Sequence, residues 1–271
     1  MTTATAAGEK TRPRLKVQEL VNQFVREGLD RPLSEDDPDI YYPDSDGNPM
    51  AETDAQFYPL TETVLALRQR YADRDDVYVS GDLLIYYRMN DNTVRLAPDV
   101  FVVFGIDDHL RSSYIIWREG GKTPDFVLEI ASPGTFVRDM TEKRALYAAI
   151  GVTEYWRFDP TGQLFSPALV GERLGEDGEY EPIEIGADDD GILRGYSEVL
   201  ELDVCQRPDG DLRLFDPETQ TWLSYLAEEV AARQTAETER DQAQAARDEA
   251  EARARALEER LRQHGLLPES E

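Results

Sequence analysis

Apolar residues along this chain recur in two rhythms, and the switches between them predict its elements. Leu20, Val21, Phe24 and Val25 follow helical spacing after Leu15, and Gly28 closes a short amphipathic helix. Leu60, Val64, Leu67 and Tyr71 stand at i, i+4, i+7 and i+11, one stripe on a second helix that starts at about Met50 or Pro59, ends at Ala72 and lies on a sheet. The pattern then turns to β-branched and aromatic runs: VYVSGDLLIYYRM from Val77 and VRLAPDVFVVFG from Val94, joined as a hairpin by a turn at Asp91 to Thr93. Residues 105–123, with Trp117, read as a polar excursion before a third strand, DFVLEIA. A helix follows, with Thr135 or Asp139 as its N-cap, Met140, Leu146, Tyr147 and Ile150 on its apolar face, and Gly151 as its C-cap. TEYWRFD, ending at Pro160, is a fourth strand. The order is helix, strand, strand, strand, helix, strand, an α/β (α+β) core around a mixed sheet.

Beyond Pro160 short extended pieces alternate with turn signals at 160–162, 176–178, 189–191 and 208–210, which read as appended antiparallel hairpins. From Trp222 to about Arg262 there is neither Pro nor Gly, and Ala, Glu, Arg and Gln dominate, so one long helix is expected. Its inner positions are mostly alanine, with Leu257 and Leu261 only late, so solvated and self-associating forms of that helix both stay open. The domain reading is an N-terminal arm and helix over 1–49, a core over 50–160, hairpins over 161–221 and a helical, coiled-coil-capable tail over 222–271.

Charge changes this picture. The formal net charge is −27 over 271 residues, which repels polyanions at long range, so a nucleic acid must be reached through a local basic patch or a bound cation. The tail holds ten acids against seven arginines between residues 223 and 263, so most of the acidity belongs to the folded part. A single cysteine, Cys205, excludes an intrachain disulfide and a Cys-based zinc site. No apolar run approaches the roughly 18 residues of a membrane span, and the N-terminus lacks an apolar signal segment, so the expected location is cytoplasmic.

Candidate chemistry centres on Glu129, a carboxylate inside an apolar strand. Strand alternation puts Asp125, Val127, Glu129 and Ala131 on one face, and a buried carboxylate there needs a cationic partner. Asp99 opens the apolar run VFVVF after Pro98. If its strand adjoins that of Glu129, the two carboxylates approach each other, and a divalent ion with hard oxygen ligands, Mg²⁺ or Mn²⁺, relieves their repulsion. Lys143 lies in the second turn of the following helix, where it reaches back over the sheet end. Two acids, an ion and an ammonium are what phosphodiester cleavage needs.

APDV at 97–100, the 30-residue step from Asp99 to Glu129, EIASP, the D-x-x-x-K step from Asp139 to Lys143, ALY and GVTEYWRFDP together resemble the Uma-type restriction endonuclease family of the PD-(D/E)XK nuclease superfamily. The resemblance covers roughly residues 50–160 and implies a restriction-endonuclease-like αβββαβ core. It implies a Mg²⁺-dependent DNA endonuclease in which Asp99 and Glu129 hold the ion, with the Ile130 carbonyl as a third ligand. The superfamily carries a lysine two residues after the glutamate, whereas Ala131 stands here, so the resemblance implies that Lys143 has taken over. A further acid from the first core helix is assigned to Glu52, in preference to Glu62, which lies off the apolar stripe and faces water; Asp82 on the first strand is a weaker alternative. Arg138, Lys143, Arg144, Arg157 and Lys122 would form a small basic rim for DNA, and a homodimer through the core or tail is an expected partner.

Blander readings stand beside these. Glu129 can form a structural ion pair with Lys143 or Arg144, and Asp99 can be a turn residue. Asp125 reads as a strand start, Ser132 and Thr135 as turn and cap, His109 and His264 as exposed, and the Asp clusters near 188 and 209 as hairpin turns. The alternative function is a catalytically degenerate nuclease fold that works as an interaction module through its acidic surface and C-terminal helix.

Overall fold

The computed structural model describes residues 36–45, 47 and 53–264; the predicted helix at 15–28 lies outside them. The chain divides into two compact units, Met1–Leu223 and Ser224–Glu271.

Helix α1 spans Asp54–Arg70. It starts between the two predicted starting points and carries Pro59 inside its second turn, and the Thr53 carbonyl accepts from the amides of Gln56 and Phe57. The buried stripe is the predicted one, with Val64, Leu67 and Tyr71 inside. Glu62, expected to face water, is instead partly buried and has an interaction partner.

Each arm of the predicted hairpin breaks in two. VYVSGDLLIYYRM gives β1 (Val77–Ser80) and β2 (Ile85–Tyr86); VRLAPDVFVVFG gives β3 (Arg95–Leu96) and β4 (Val100–Phe104). β1 pairs antiparallel with β4, Val79 opposite Val102, while β2 pairs with β3, Ile85 opposite Leu96, in a different sheet. The two arms cross where they bend. A Cβ on Gly81 would lie 2.2 Å from the Asp99 carbonyl oxygen, so only glycine allows that approach. Asp82 follows at φ +50° and its amide donates to the Pro98 carbonyl at 2.9 Å. Asp82 is thus an exposed bend residue rather than a strand residue.

Residues 105–123 contribute more than a polar excursion. Tyr114–Ile115 form β5, parallel to β2, and Ile116–Glu119 form a 3₁₀ turn. Polar residues masked this strand because one of them is internal: the side chain of Arg111 is buried, pairs with Glu119 at 2.8 Å and lies 4.3 Å from the Tyr78 ring centroid.

The main sheet has six strands in the order β1-β4-β6-β7-β8-β9, where β6 is Phe126–Ile130, β7 Glu154–Phe158, β8 Leu169–Leu174 and β9 Tyr180–Pro182. Only β6 and β7 are parallel, and helix α2 makes the crossover between them. α2 is α-helical over Phe136–Arg138, π-helical over Asp139–Lys143 and α-helical again over Arg144–Ile150, with Thr135 at its N-cap and Gly151 at φ +86° closing it. Asp139, an alternative cap in the sequence reading, is therefore mid-helix. The remaining strands, β10 (Ile185–Ala187), β11 (Leu193–Ser197), β12 (Leu202–Gln206), β13 (Leu212–Asp216) and β14 (Thr221–Trp222), form a five-stranded antiparallel sheet.

Strand alternation divides the core. Phe101, Val127 and Tyr155 pack against Leu146, Tyr147 and Ile150 of α2 on one face. Val100, Phe126, Leu128, Trp156 and Phe158 pack on the other, against α1 and the five-stranded sheet through Leu67, Leu202 and Leu214. Asp99 and Glu129, two residues from Phe101 and Val127, belong to the α2 side. The sheet is mixed and the architecture α+β.

The second unit carries α3, Leu226–Gln263, 38 residues long. It is solvated along almost its whole length and laced by i,i+4 pairs such as Arg233 with Glu237 and Arg253 with Glu249. No described helix is long and apolar enough to cross a membrane.

Candidate active site

The register of β4 on β6 builds the site. Val100 pairs with Leu128, so one step outward Asp99 comes opposite Glu129. The Asp99 carboxylate accepts the Ile130 amide at 2.6 Å, which ties the entry of β4 to the end of β6. Glu129 is 2% exposed.

α2 supplies the other side. Its π turn brings Lys143 and Asp139, four residues apart, towards Glu129: Lys143 Nζ lies 2.8 Å from Glu129 Oε2 and 3.1 Å from Asp139 Oδ1. One turn on, the Tyr147 hydroxyl donates to Glu129 Oε1 at 2.6 Å. The widened turn changes the backbone ladder, and the Tyr155 hydroxyl, from β7, donates to the Asp139 carbonyl at 2.9 Å. A π turn costs regular hydrogen bonding, so this one is held by the side chains around it.

The charges do not balance. Three carboxylates, Asp99, Glu129 and Asp139, face one ammonium. Burial pushes the Asp99 carboxyl well above the ordinary carboxylate range; the Glu129 charge adds to the rise, and Lys143 opposes it. Burial also raises Glu129, again against Lys143. Burial alone would lower Lys143, but Glu129, Asp139 and Asp99 outweigh it and hold the ammonium protonated. Burial and the neighbouring Glu129 push the Tyr147 phenol well up, so it remains a donor. Lys143 also lines a cavity of about 310 Å³ on the outer side of the site.

The structure therefore brings Asp99, Glu129 and Lys143 together. Ile130 joins them through its amide, and Glu52 lies outside the described residues. Glu62 sits on α1, on the opposite side of the sheet, and Asp82 on the exposed bend. Among the described residues no three His, Cys, Asp or Glu side chains form a group that could hold an ion. The donor chemistry nevertheless suits a hard cation: the set is all oxygen, its acids outnumber its one ammonium, and burial raises the Asp99 and Glu129 carboxyls against the opposing Lys143.

The expected basic rim is not there. Arg157 is 3% exposed and pairs with Glu172, which Arg144 also grips at 2.8 Å, and Lys143 is spent on Glu129 and Asp139. Only Arg138 and Lys122 remain at the surface. Asp125 has the strand-start role read from sequence, accepting the Phe104 amide at 2.7 Å. The Ser132 and Thr135 hydroxyls bond each other at 2.9 Å in the turn before α2. His109 is exposed beside Asp107, and Asp188 closes a hairpin turn by accepting the Asp190 and Ile192 amides.

Sequence reasoning missed Asp139, Tyr147 and Tyr155 as site residues. The signal was available for two of them: Asp139, Lys143 and Tyr147 stand at i, i+4 and i+8, a polar stripe on the helix face that packs on Glu129.

Asp99 and Glu129 on adjacent strands and Lys143 on the crossover helix thus stand together within the αβββαβ order of the main sheet. Residues 25–205 match the family Uma2, described as "Putative restriction endonuclease", and the chain belongs to that family. Among solved structures it is similar to one described as a putative nuclease belonging to DUF820 from Anabaena variabilis, with 17% identity, a TM-score of 0.37, and coverage of 62% of this chain and 86% of that one. No curated protein matches.

Proposed function

We propose that the protein is a metal-dependent DNA endonuclease in which Asp99 and Glu129 hold Mg²⁺ or Mn²⁺ and Lys143 stabilises the charge that develops on the phosphoryl group. The observation that carries this is the surplus of buried carboxylate over ammonium beside a cavity. The Ile130 carbonyl and Glu52 would complete the ligand set. When bound, the ion polarises a phosphoryl oxygen and makes water a better nucleophile. The chain's own residues do the rest. Asp99 and Ile130 fix the strand ends; Tyr147 orients Glu129; Asp139 holds Lys143 in place. Because its carboxylate neighbours raise Lys143, it acts as a cation and not as a general base.

One observation favours a second reading. Both Glu129 oxygens are already engaged, by Tyr147 and Lys143, and position 131 is alanine, which suits a degenerate nuclease fold that binds other proteins. The two separate by cleavage and by metal binding. On the endonuclease reading, purified protein nicks duplex or single-stranded DNA with Mg²⁺ or Mn²⁺, Glu129→Gln and Asp99→Asn abolish nicking, and calorimetric Mn²⁺ binding vanishes in both variants. Activity that survives Glu129→Gln, or no Mn²⁺ binding by the wild type, overturns it.

A further inference from the structure

The cavity beside Lys143 has walls that the catalytic reading does not use. One wall is the β2–β3 hairpin, with Thr93 and Arg95; the other is the start of α2, with Thr135, Arg138 and Lys143; Leu84 and Leu96 give it an apolar floor. On a chain of net charge −27, three of its lining residues are cationic and none is acidic. Arg95 donates to the Asn92 carbonyl at 2.9 Å and forms no ion pair among the described residues. Among the described residues Arg138 has a loose i,i+4 ion-pair partner, Glu142 at 3.6 Å, with both side chains more than half exposed. These guanidiniums are available to an anion, whereas Arg144 and Arg157 are consumed inside the fold.

The crossing at Gly81 and Asp99 gives this cavity its form. By sending β2 and β3 out of the main sheet, it stands the hairpin opposite α2 and leaves a cleft of about 310 Å³, the low end of small-ligand pockets. That is room for about one nucleotide and not for a base-paired duplex. A phosphate at the cationic wall and a base on the apolar floor match both surfaces, the combination by which single strands are held.

We propose that this cleft is the subsite for an unpaired nucleotide next to the scissile phosphodiester, with Arg95 and Arg138 as positioning residues for its phosphate. The choice of ligand rests on the nuclease reading above. It gives an acidic protein a local route to a polyanion and makes a single strand, or a locally opened one, the preferred substrate.

The test is fluorescence anisotropy of a labelled single-stranded DNA 12-mer, and of the same 12-mer annealed to its complement. Both are titrated with full-length Glu129→Gln protein in Ca²⁺ buffer across a salt series, and with wild type in EDTA as a second form. The single strand is expected to bind at least about tenfold more tightly than the duplex. Arg95→Ala with Arg138→Ala should weaken single-strand binding about tenfold and flatten the slope of log affinity against log salt by about 0.7 for each phosphate left unneutralised. Arg233→Ala with Arg253→Ala in α3, the same change in net charge, should alter neither. Equal affinity for duplex and single strand, or arginine variants that match the α3 control, overturns the proposal. A wild type that cuts nothing while the arginine dependence holds removes the nuclease reading and leaves the subsite standing.

Discussion

Two buried glutamates sit on neighbouring strands of the same sheet and behave in opposite ways. Glu154 on β7 is fully buried on the α1 side, and a complete set of donors surrounds it. Arg173 donates at 3.0 Å, Trp156 Nε1 at 3.1 Å, the Ser197 hydroxyl at 2.5 Å and the Glu198 amide at 3.0 Å. This carboxylate bolts the six-stranded sheet to the five-stranded one, and the one further acid on its donors, Glu198 at 2.6 Å from Arg173, is exposed. Glu129 on β6 is equally deep on the α2 side but shares one ammonium with Asp139, close to Asp99. Burial of an acid alone therefore says little about chemistry. A surplus of acid beside a cavity separates a site from a structural tie.

The largest test of that contrast is Glu154→Ala. It strands an indole N–H, a hydroxyl and a backbone amide in the interior, while the partly exposed Arg173 keeps Glu198 as its partner, and we expect a loss of about 3 kcal/mol in urea unfolding. Next in size is Lys143→Met. Removing the shared cation should cost about 2 kcal/mol at pH 7 and shrink as the pH falls, because Glu129 and Asp99 can then take up protons. A pH-independent cost at Lys143 would show that the cluster around it is as balanced as the one around Glu154.

The contrast was only half legible in the sequence. Glu129 stood out because a charge flanked by Val127, Leu128 and Ile130 contradicts its own strand, and Asp99 because it opens VFVVF after a proline. Those are local contradictions, and local patterns expose them. Glu154 begins EYWRF, where an acid reads as an ordinary strand start, and its donors come from Arg173 and Ser197, on strands no spacing rule connects to it. Arg144 and Arg157 looked like surface cations for the same reason: their acid, Glu172, arrives from β8. Asp139 looked like a cap because an acid near a helix start usually is one, and nothing in the residue order announces a π turn. The stripe of Val64, Leu67 and Tyr71 and the closing Gly151 were legible because each depends on its own helix. The bend at Gly81 was not, since it is caused by the carbonyl of Asp99 on another strand.

The smallest expected effect is the most discriminating, because its sign is opposite to the usual one. Losing a buried carboxylate normally destabilises, as at Glu154. At Asp99 the folded carboxyl is raised well above its ordinary 3.8, so the native state keeps a proton that the unfolded chain has released. Native stability therefore falls as the pH rises from about 3.8 through the raised value, and above it the full penalty of an ionised, undercompensated carboxylate is present. Asp99→Asn removes that penalty while its amide oxygen can still accept the Ile130 N–H. In EDTA at pH 8 the variant should be about 1 kcal/mol more stable than wild type, since a tenfold change in proton affinity on folding is worth about 1.4 kcal/mol, and the gain should disappear towards pH 4. Thermal unfolding of both proteins across that range measures it. If Asp99→Asn is less stable at every pH, Asp99 is a satisfied structural acid like Glu154 and the surplus charge assigned to the site is not there. If it gains stability only in EDTA, and millimolar Mn²⁺ restores the advantage to wild type, the missing counter-charge is a divalent ion.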